Sequence, residues 1–574
     1  MAPFHPRTIC TFLTGVTVSA QHTLRALSAA TVVAALVTGC SSANSDANRS
    51  SRGSTAGVLD IGVVSGPQTD NSNPFLGTSA AANLGYRHMI YEPLVMPNDI
   101  RPERKGTPWL AKDWKWDGNF TKVTITVDER AKWSDGKPLT AEDVAFTFEL
   151  IKKYPALNVY GVTYGGVAVE AGKVVLTFAE SQFVNQSKIL RTLIVPKHIW
   201  KTVEDPATWP NRKPLGSGPY TLKTFTPQTT TLQAAPSYWK GKTRVKELRF
   251  TSHNDNSAQT TALANGKSEW SNVFIPNHEQ LYVAKDPAHH KLWFPAGIGI
   301  HGLWLNTTRG PLSDPALRKA MAMVIDRRAI HVQAQASLYP EITNPTGIPL
   351  PAGEPFLAPE YKSRTNKPDV AGAKKLLERA GYRLAGGVLK DPAGKAVKLT
   401  LTDPAGWNDY VTGLSIIQSN IKPLGIDAKV KTQSAEVWTA SVANGDFDAT
   451  LHWTNSGATP YDMYQNIMDG ALLQPVGKSA SLGNYGRFDS PRATKALKEY
   501  ANATDDSART TALHTLQKIM VEEVPVIPTA GAHLGAEYST KNWVGWPDES
   551  DPYGPPQPTQ PNALDIVLRL KPAK

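Results

Sequence analysis

Val123, Ile125 and Val127 alternate with Thr124, Thr126 and Asp128, the period of two that marks a strand with one buried face. A turn at Ser134-Asp135-Gly136 follows, and the period then changes. Val144, Ala145, Phe148 and Ile151 recur at helical spacing behind Thr140 and Asp143, a capping-box-like start. Further strands are predicted at Val58–Ser65, Val174–Phe178, Leu232–Ala235, Val245–Phe250, Val397–Thr402 and Ile426–Val430. One further helix has Asp314 as its cap and Pro315 in its first turn, with Leu317, Ala320, Met321, Val324 and Ile325 as its apolar face. A second turns Val370, Ala373, Leu376, Leu377 and Ala380 inward and ends at Gly381, and a third runs over Val411–Ile421 until Pro423 stops it. This alternation predicts a mixed α/β fold with helices on the faces of its sheets. At 574 residues the chain exceeds one compact core, so two or three are expected.

The N-terminal residues follow a different pattern. Arg25, an apolar run from Ala26 to Val37 and the small-residue end Thr38-Gly39-Cys40 read as a signal peptide over residues 1–39. The run is shorter than the ~20 residues a helix needs to cross a bilayer. Val37-Thr38-Gly39-Cys40 resembles a bacterial lipobox, which implies an acylated Cys40 as the mature N-terminus and a membrane anchor. Residues 40–57 then form a polar tether rich in Ser and Asn. Cys10 leaves with the signal, so disulfides, Cys-ligated zinc and thiol catalysis are excluded from the mature chain. Removing Arg7 and Arg25 takes the formal charge from +11 to +9 (11 − 2). The charges are scattered without long runs of one sign, so a solvated surface and no nucleic-acid partner are expected.

Motifs of catalysis and cofactor binding are approached and missed. Gly297-Ile298-Gly299-Ile300-His301-Gly302 matches a dinucleotide fingerprint in letters, but the residues after it alternate as a strand and open no helix to hold a pyrophosphate. Its glycines are expected to form a flexible connection near a lobe hinge. Gly241-Lys242-Thr243 and Gly477-Lys478-Ser479 lack the upstream glycine of a phosphate loop. His278-Glu279 and His289-His290 are not set at metal-ligand spacing, and Gly-x-Ser-x-Gly is absent. No cofactor, no metal and no enzymatic activity are expected.

The text from Leu110-Ala111-Lys112-Asp113-Trp114 through Trp133-Ser134-Asp135-Gly136-Lys137-Pro138-Leu139-Thr140-Ala141-Glu142-Asp143-Val144 closely resembles the extracytoplasmic solute-binding proteins of peptide and nickel ABC importers, solute-binding family 5. Leu215-Gly216-Ser217-Gly218-Pro219-Tyr220, Tyr238-Trp239-Lys240-Gly241, Leu303-Trp304-Leu305-Asn306, Asn444-Gly445-Asp446-Phe447-Asp448 and Val524-Pro525-Val526-Ile527-Pro528 resemble further landmarks in family order. The resemblance implies a two-lobed periplasmic-binding-protein-like fold with an inserted subdomain and a hinge. The implied division is lobe I at 58–104 and 213–302, the inserted subdomain at 105–212, lobe II at 303–528 and a return to lobe I at 529–574. It also implies a monomer on the outer face of the cell membrane that delivers a small-molecule ligand to a permease driven by ATPase subunits. A lipid-anchored receptor or sensor without a transport role is the alternative in kind.

The family carries peptides, nickel complexes, haem, opines and oligosaccharides. In its peptide binders an Asp soon after a second-lobe Trp pairs with the ligand ammonium; in Trp453-Thr454-Asn455-Ser456 that position falls on Ser456, which cannot supply the charge. Gly457 to Tyr461, Glu269-Trp270, Phe274-Ile275-Pro276 and Trp407-Asn408-Asp409 resemble instead the sugar-binding branch. Pyranose C–H faces lie on indole rings and sugar hydroxyls suit Asn, Ser and Asp. The fifteen tryptophans make this plausible chemistry. Trp453, Asn455, Ser456, Tyr461, Trp270, Trp407 and Asp409 are therefore the candidate ligand-binding residues, with an oligosaccharide expected and an oligopeptide as the alternative.

Overall fold

The alternation at Val123 and Ile125 builds the strand Lys122–Val127, with both side chains fully buried. Behind it Asp143 accepts the Thr140 backbone N–H at 3.0 Å and starts the helix Ala141–Lys153, whose Val144, Phe148 and Ile151 are buried. The turn between them places Gly136 at φ +87°, in the left-handed region that glycine enters without strain. The structure, a computed structural model, describes residues 57–101 and 105–574. The signal-peptide segment, Cys40 and the tether up to residue 56 lie outside the described residues.

Lys122–Val127 belongs to a four-stranded antiparallel sheet in the order Ala111–Trp116, Lys122–Val127, Lys173–Thr177, Gly166–Glu170. This subdomain is fastened to its neighbour by a carboxylate. Glu92, fully buried, accepts the Trp109 indole N–H at 2.8 Å, the Tyr238 hydroxyl at 2.6 Å and the Trp239 indole N–H at 2.8 Å. Burial raises its pKa, while the donors around it favour the charged form.

A seven-stranded sheet forms the first lobe, in the order His290–Trp293, Ala536–Ser539, Trp270–Ser271, Val58–Val64, Glu247–His253, Thr229–Ala234, Tyr220–Phe225. The second lobe is built on five strands, Asp427–Gln433, Lys398–Pro404, Ala449–Trp453, Ala296–Leu305 and Val526–His533. Helices cover both of its faces. Pro315–Val324, Val370–Arg379 and Asn408–Ile421 share a core with Leu303, Leu401 and Leu451. Tyr461–Met468, Pro491–Asn502 and Asp506–Glu523 share another with Ile300, Trp304 and Val526. Asp314 caps the first of these helices as expected, accepting the Ala316 N–H at 2.8 Å.

Chain passes between the two sheets twice, at Phe294-Pro295 and at Leu534-Gly535. The passages lie side by side: Leu534 N–H donates to the Pro295 carbonyl at 3.0 Å. A Cβ on residue 535 would lie 2.3 Å from the Phe294 ring, so only glycine fits. The sheets thus divide at these passages, and the expected boundaries at 302/303 and 528/529 need correction. The strands Ala296–Leu305 and Val526–His533 belong wholly to the second sheet. Their pairing runs from Ala296 opposite His533 to Trp304 opposite Val526, with breaks in register between Ala296 and Ile300 and between His301 and Gly302.

Next to the second passage, Glu537 sits 1% exposed with the Val273 N–H as a donor at 3.2 Å. Burial pushes its carboxyl from the ordinary 4.5 up to about 8. The folded chain therefore binds one proton more than the unfolded chain between these values. The stability this group contributes is fully present below pH 4.5 and is lost as pH rises towards 8. Glu537→Gln, neutral throughout, should gain on the wild type in urea or thermal midpoint between pH 5 and pH 8. A difference that does not change with pH would show that Glu537 is already ionised at pH 5.

Candidate binding cleft

The strand Ala296–Leu305 forms the floor of the cleft because the segment after Trp453 lies directly on it. Thr454 donates its N–H to the Ile300 carbonyl at 2.8 Å, and its hydroxyl oxygen accepts the Ile300 N–H at 2.9 Å. A Cβ on residue 299 would stand 2.5 Å from Ser456 Oγ and 2.9 Å from the Asn455 carbonyl oxygen. One on residue 297 would stand 3.1 Å from Ser456 Oγ. The glycines expected to give a flexible connection lie instead within the strand Ala296–Leu305, at a break in its pairing, and admit a second backbone at close range.

Alternation along this strand places Gly297, Gly299 and His301 on one face. His301 lines the cleft, with Tyr339 stacked on it at 5.2 Å and His533 on Tyr339 at 4.1 Å. Its Nδ1 lies 2.7 Å from the Tyr410 hydroxyl, and the Tyr339 hydroxyl donates to Asp409 at 3.3 Å. Burial drives the His301 imidazole down to about 4, and burial together with His301 drives His533 well below 6.5. Both rings are neutral at pH 7. Burial lifts the Asp409 carboxyl to about 6, although Tyr339 and backbone N–H groups oppose the rise.

The second lobe adds an indole wall. Trp407 lies 4.9 Å from Trp438 and 6.1 Å from Trp453, with Trp438 buried and Trp453 43% exposed to the cleft. Trp438 donates its N–H to Thr450 at 2.8 Å, which fixes the base of the wall. Opposite stand amides of the first lobe, Asn256, Asn272, Gln557 and Gln560. Asn272 is held by Gln557 at 3.3 Å and by the Gly535 carbonyl at 2.7 Å. The enclosed volume is about 1090 Å³, in the range of drug-sized sites and larger.

Three carboxylates line this cavity, Asp99, Asp409 and Asp462. Asp99 pairs with Arg191 at 2.6 Å and Asp462 with Lys188 at 2.9 Å, while Asp409 is nearly buried against Tyr339. Asp99 and Asp462 are thus ion-paired, whereas Asp409 has a hydrogen bond from a neutral phenol and no ion-pair partner among the described residues.

Six of the sequence-derived candidates, Trp453, Asn455, Ser456, Tyr461, Trp407 and Asp409, come together on the lining. Tyr461 contributes little surface because it is 5% exposed and stacks on Tyr500 at 5.0 Å. Trp270 does not join them, and this corrects the expectation. It is fully buried in the first sheet, donates its N–H to the Pro556 carbonyl at 2.6 Å and meets Trp546 edge-on at 5.3 Å. Its indole is already occupied by protein. His301, Tyr339, His533, Trp438, Lys188, Arg191 and the first-lobe amides were not singled out from the sequence. Only His301 carried a signal, its phase with Gly297 and Gly299. Among the described residues no group of three or more His, Cys, Asp or Glu side chains is arranged to hold a metal ion.

The sequence profile of bacterial extracellular solute-binding proteins, family 5 (Middle), matches residues 105–471. The chain belongs to this family. Its function is accordingly extracytoplasmic solute binding and not catalysis. The family 5 protein is 26% identical over 479 residues to the periplasmic murein peptide-binding protein MppA of Escherichia coli, covering 76% of this chain and 81% of that one. A Thermotoga maritima periplasmic oligopeptide-binding protein, solved with mannohexaose bound, matches with a TM-score of 0.80 and 25% identity, covering 90% of this chain and 99% of that one. The Bacillus subtilis oligopeptide-binding protein AppA, solved with a nonapeptide, shares the fold at TM-score 0.74 and 20% identity, over 90% and 99% of the two chains.

Gly299→Ala tests the close approach on which the cleft of the family 5 protein is built. The new methyl group must push the Asn455–Ser456 backbone away, so a loss of about 1–3 kcal/mol in stability is expected from overpacking. Urea unfolding measures it, and an unchanged midpoint would mean that the segment moves aside freely.

Proposed function

We propose that this protein is the ligand-capturing component of an ABC importer and that it carries a neutral oligosaccharide between its lobes. The observation that carries the reading is the charge state of the cleft. Asp99 and Asp462 are ion-paired with Arg191 and Lys188, and Asp409 is nearly buried with its carboxylate accepting the Tyr339 hydroxyl, so an incoming ammonium finds no well-exposed carboxylate without a partner. Once a cleft excludes water, an unpaired ammonium is costly, whereas hydroxyls need only hydrogen-bond partners. The two walls suit a sugar from opposite sides. Trp407 and Trp453 offer flat faces to pyranose C–H groups, and Asn256, Asn272, Gln557 and Gln560 offer donors and acceptors to the hydroxyls.

The Thermotoga maritima relative supports this reading, since its structure holds mannohexaose. Capture works through differential contact: a ligand that touches the indole wall of one lobe and the amide wall of the other stabilises the closed form to that extent. The loaded protein then presents its ligand to a permease whose ATPases supply the work. An oligopeptide is the competing ligand, supported by the names of relatives such as MppA and AppA.

Titration calorimetry with manno-, cello-, xylo- and malto-oligosaccharides against unmodified di- to pentapeptides separates the two. Sugar binding with a change in tryptophan fluorescence is expected, weakened by about 1–3 kcal/mol in Trp453→Ala if the indole is a binding hot spot. Tight binding of peptides with no response to sugars would overturn the sugar reading and move the polar anchor to Asp409 or Asp462. We further propose that Cys40 carries the lipid anchor. Wild-type protein should stay on membranes through a salt wash that releases Cys40→Ala, and equal release of both would remove the anchor.

A further inference from the structure

Lys188 lies on the short helix Gln186–Leu190 of the inserted subdomain, and its ammonium reaches across the cleft mouth into the second lobe. Nζ is 2.9 Å from Asp462 Oδ1 and 3.1 Å from Gln465 Oε1. The two charged side chains are only 18% and 15% exposed, so water screens the pair little. The other Asp462 oxygen is pressed onto the main chain at Gly457, where a Cβ would come within 1.9 Å of Oδ2. The carboxylate is therefore clamped between Gly457 and Lys188, beside Ser456 on the cavity lining. The segment that bears Lys188 is seated independently: the Arg509 guanidinium lies 3.8 Å from the centre of the Phe183 ring.

This arrangement has the parts of an ammonium site whose ammonium is supplied by the chain. We propose that Lys188 is a specificity-determining residue that occupies Asp462 and so selects against ligands bearing a free amine. An amine that reached Asp462 would have to displace Lys188 and leave that charge in a cleft where Asp99 is already paired with Arg191 and Asp409 is nearly buried against Tyr339. A ligand without an amine leaves the pair intact. The inference deepens the reading of the cleft as a site for a neutral ligand and rests on it.

The test uses trialanine and N-acetyl-trialanine, which differ in the terminal amine, with the full chain, Lys188→Met and the double variant Lys188→Met/Asp462→Asn. Wild type should bind neither peptide measurably. Lys188→Met should bind trialanine about tenfold or more tightly than the acetylated peptide, and the double variant should lose that preference. Thermal melting confirms that each variant folds, and Lys188→Gln repeats the measurement should the Met variant not fold. The proposal is overturned if the Lys188 variant shows no preference for the free amine, or if wild type binds trialanine as tightly as the variant does. The readout contains no sugar. If oligosaccharides bind none of the proteins while the amine preference appears and disappears as described, the role of Lys188 stands and the sugar reading falls.

Discussion

Ser456 rests on the backbone of the strand that begins where the chain leaves the first lobe, and the contact exists because residues 297 and 299 carry no side chain. Much of the cleft follows from it. Thr454 is bonded to Ile300 on both its N–H and its hydroxyl, which fixes the segment that bears Trp453 and Asn455. Gly457 continues the approach and lets Asp462 fold back over the main chain. His301, two residues along the same face, completes the floor with Tyr339 and His533. One close approach of two backbones thus positions indole, hydroxyl, amide and carboxylate together.

The inserted subdomain depends on a different constraint. Glu92 gathers the indole N–H of Trp109 together with the phenol and indole N–H of the adjacent Tyr238 and Trp239, so one buried carboxylate satisfies three donors at once. The subdomain is fixed at this end, while its far end carries Phe183 and Lys188 to the second lobe. A rigid attachment at one side is what lets the four-carbon stem of Lys188 meet Asp462 at a defined distance.

Local patterns were legible in the sequence where local physics decides them. The alternation around Val123, the Thr140–Asp143 start and the Asp314 cap all appear where the residues place them, because each is settled within a few positions. The glycines at 297 and 299 were not legible in the same way. Glycine weakens a strand on its own, and only the distant segment at 454–457 explains why it is required. The tryptophans divide for a similar reason. Trp270 follows a polar run and Trp453 follows the stretch Ala449–His452, yet the face each indole presents depends on which sheet it joins and what covers that sheet. Lys188 carried no local signal at all, since its partner lies more than two hundred residues away.

The two passages between the sheets are bonded to each other, Leu534 to Pro295, with Gly535 packed on Phe294. Two independent linkers would let the lobes slide, swing and twist in several directions. A bonded pair behaves like a leaf hinge with its pin in place: a turn of one passage must be matched by the other, and sliding or separation would break the bond. A relative motion of the lobes that kept this bond would be a rotation about the paired passages, and surfaces meeting across the cleft would then meet in one register.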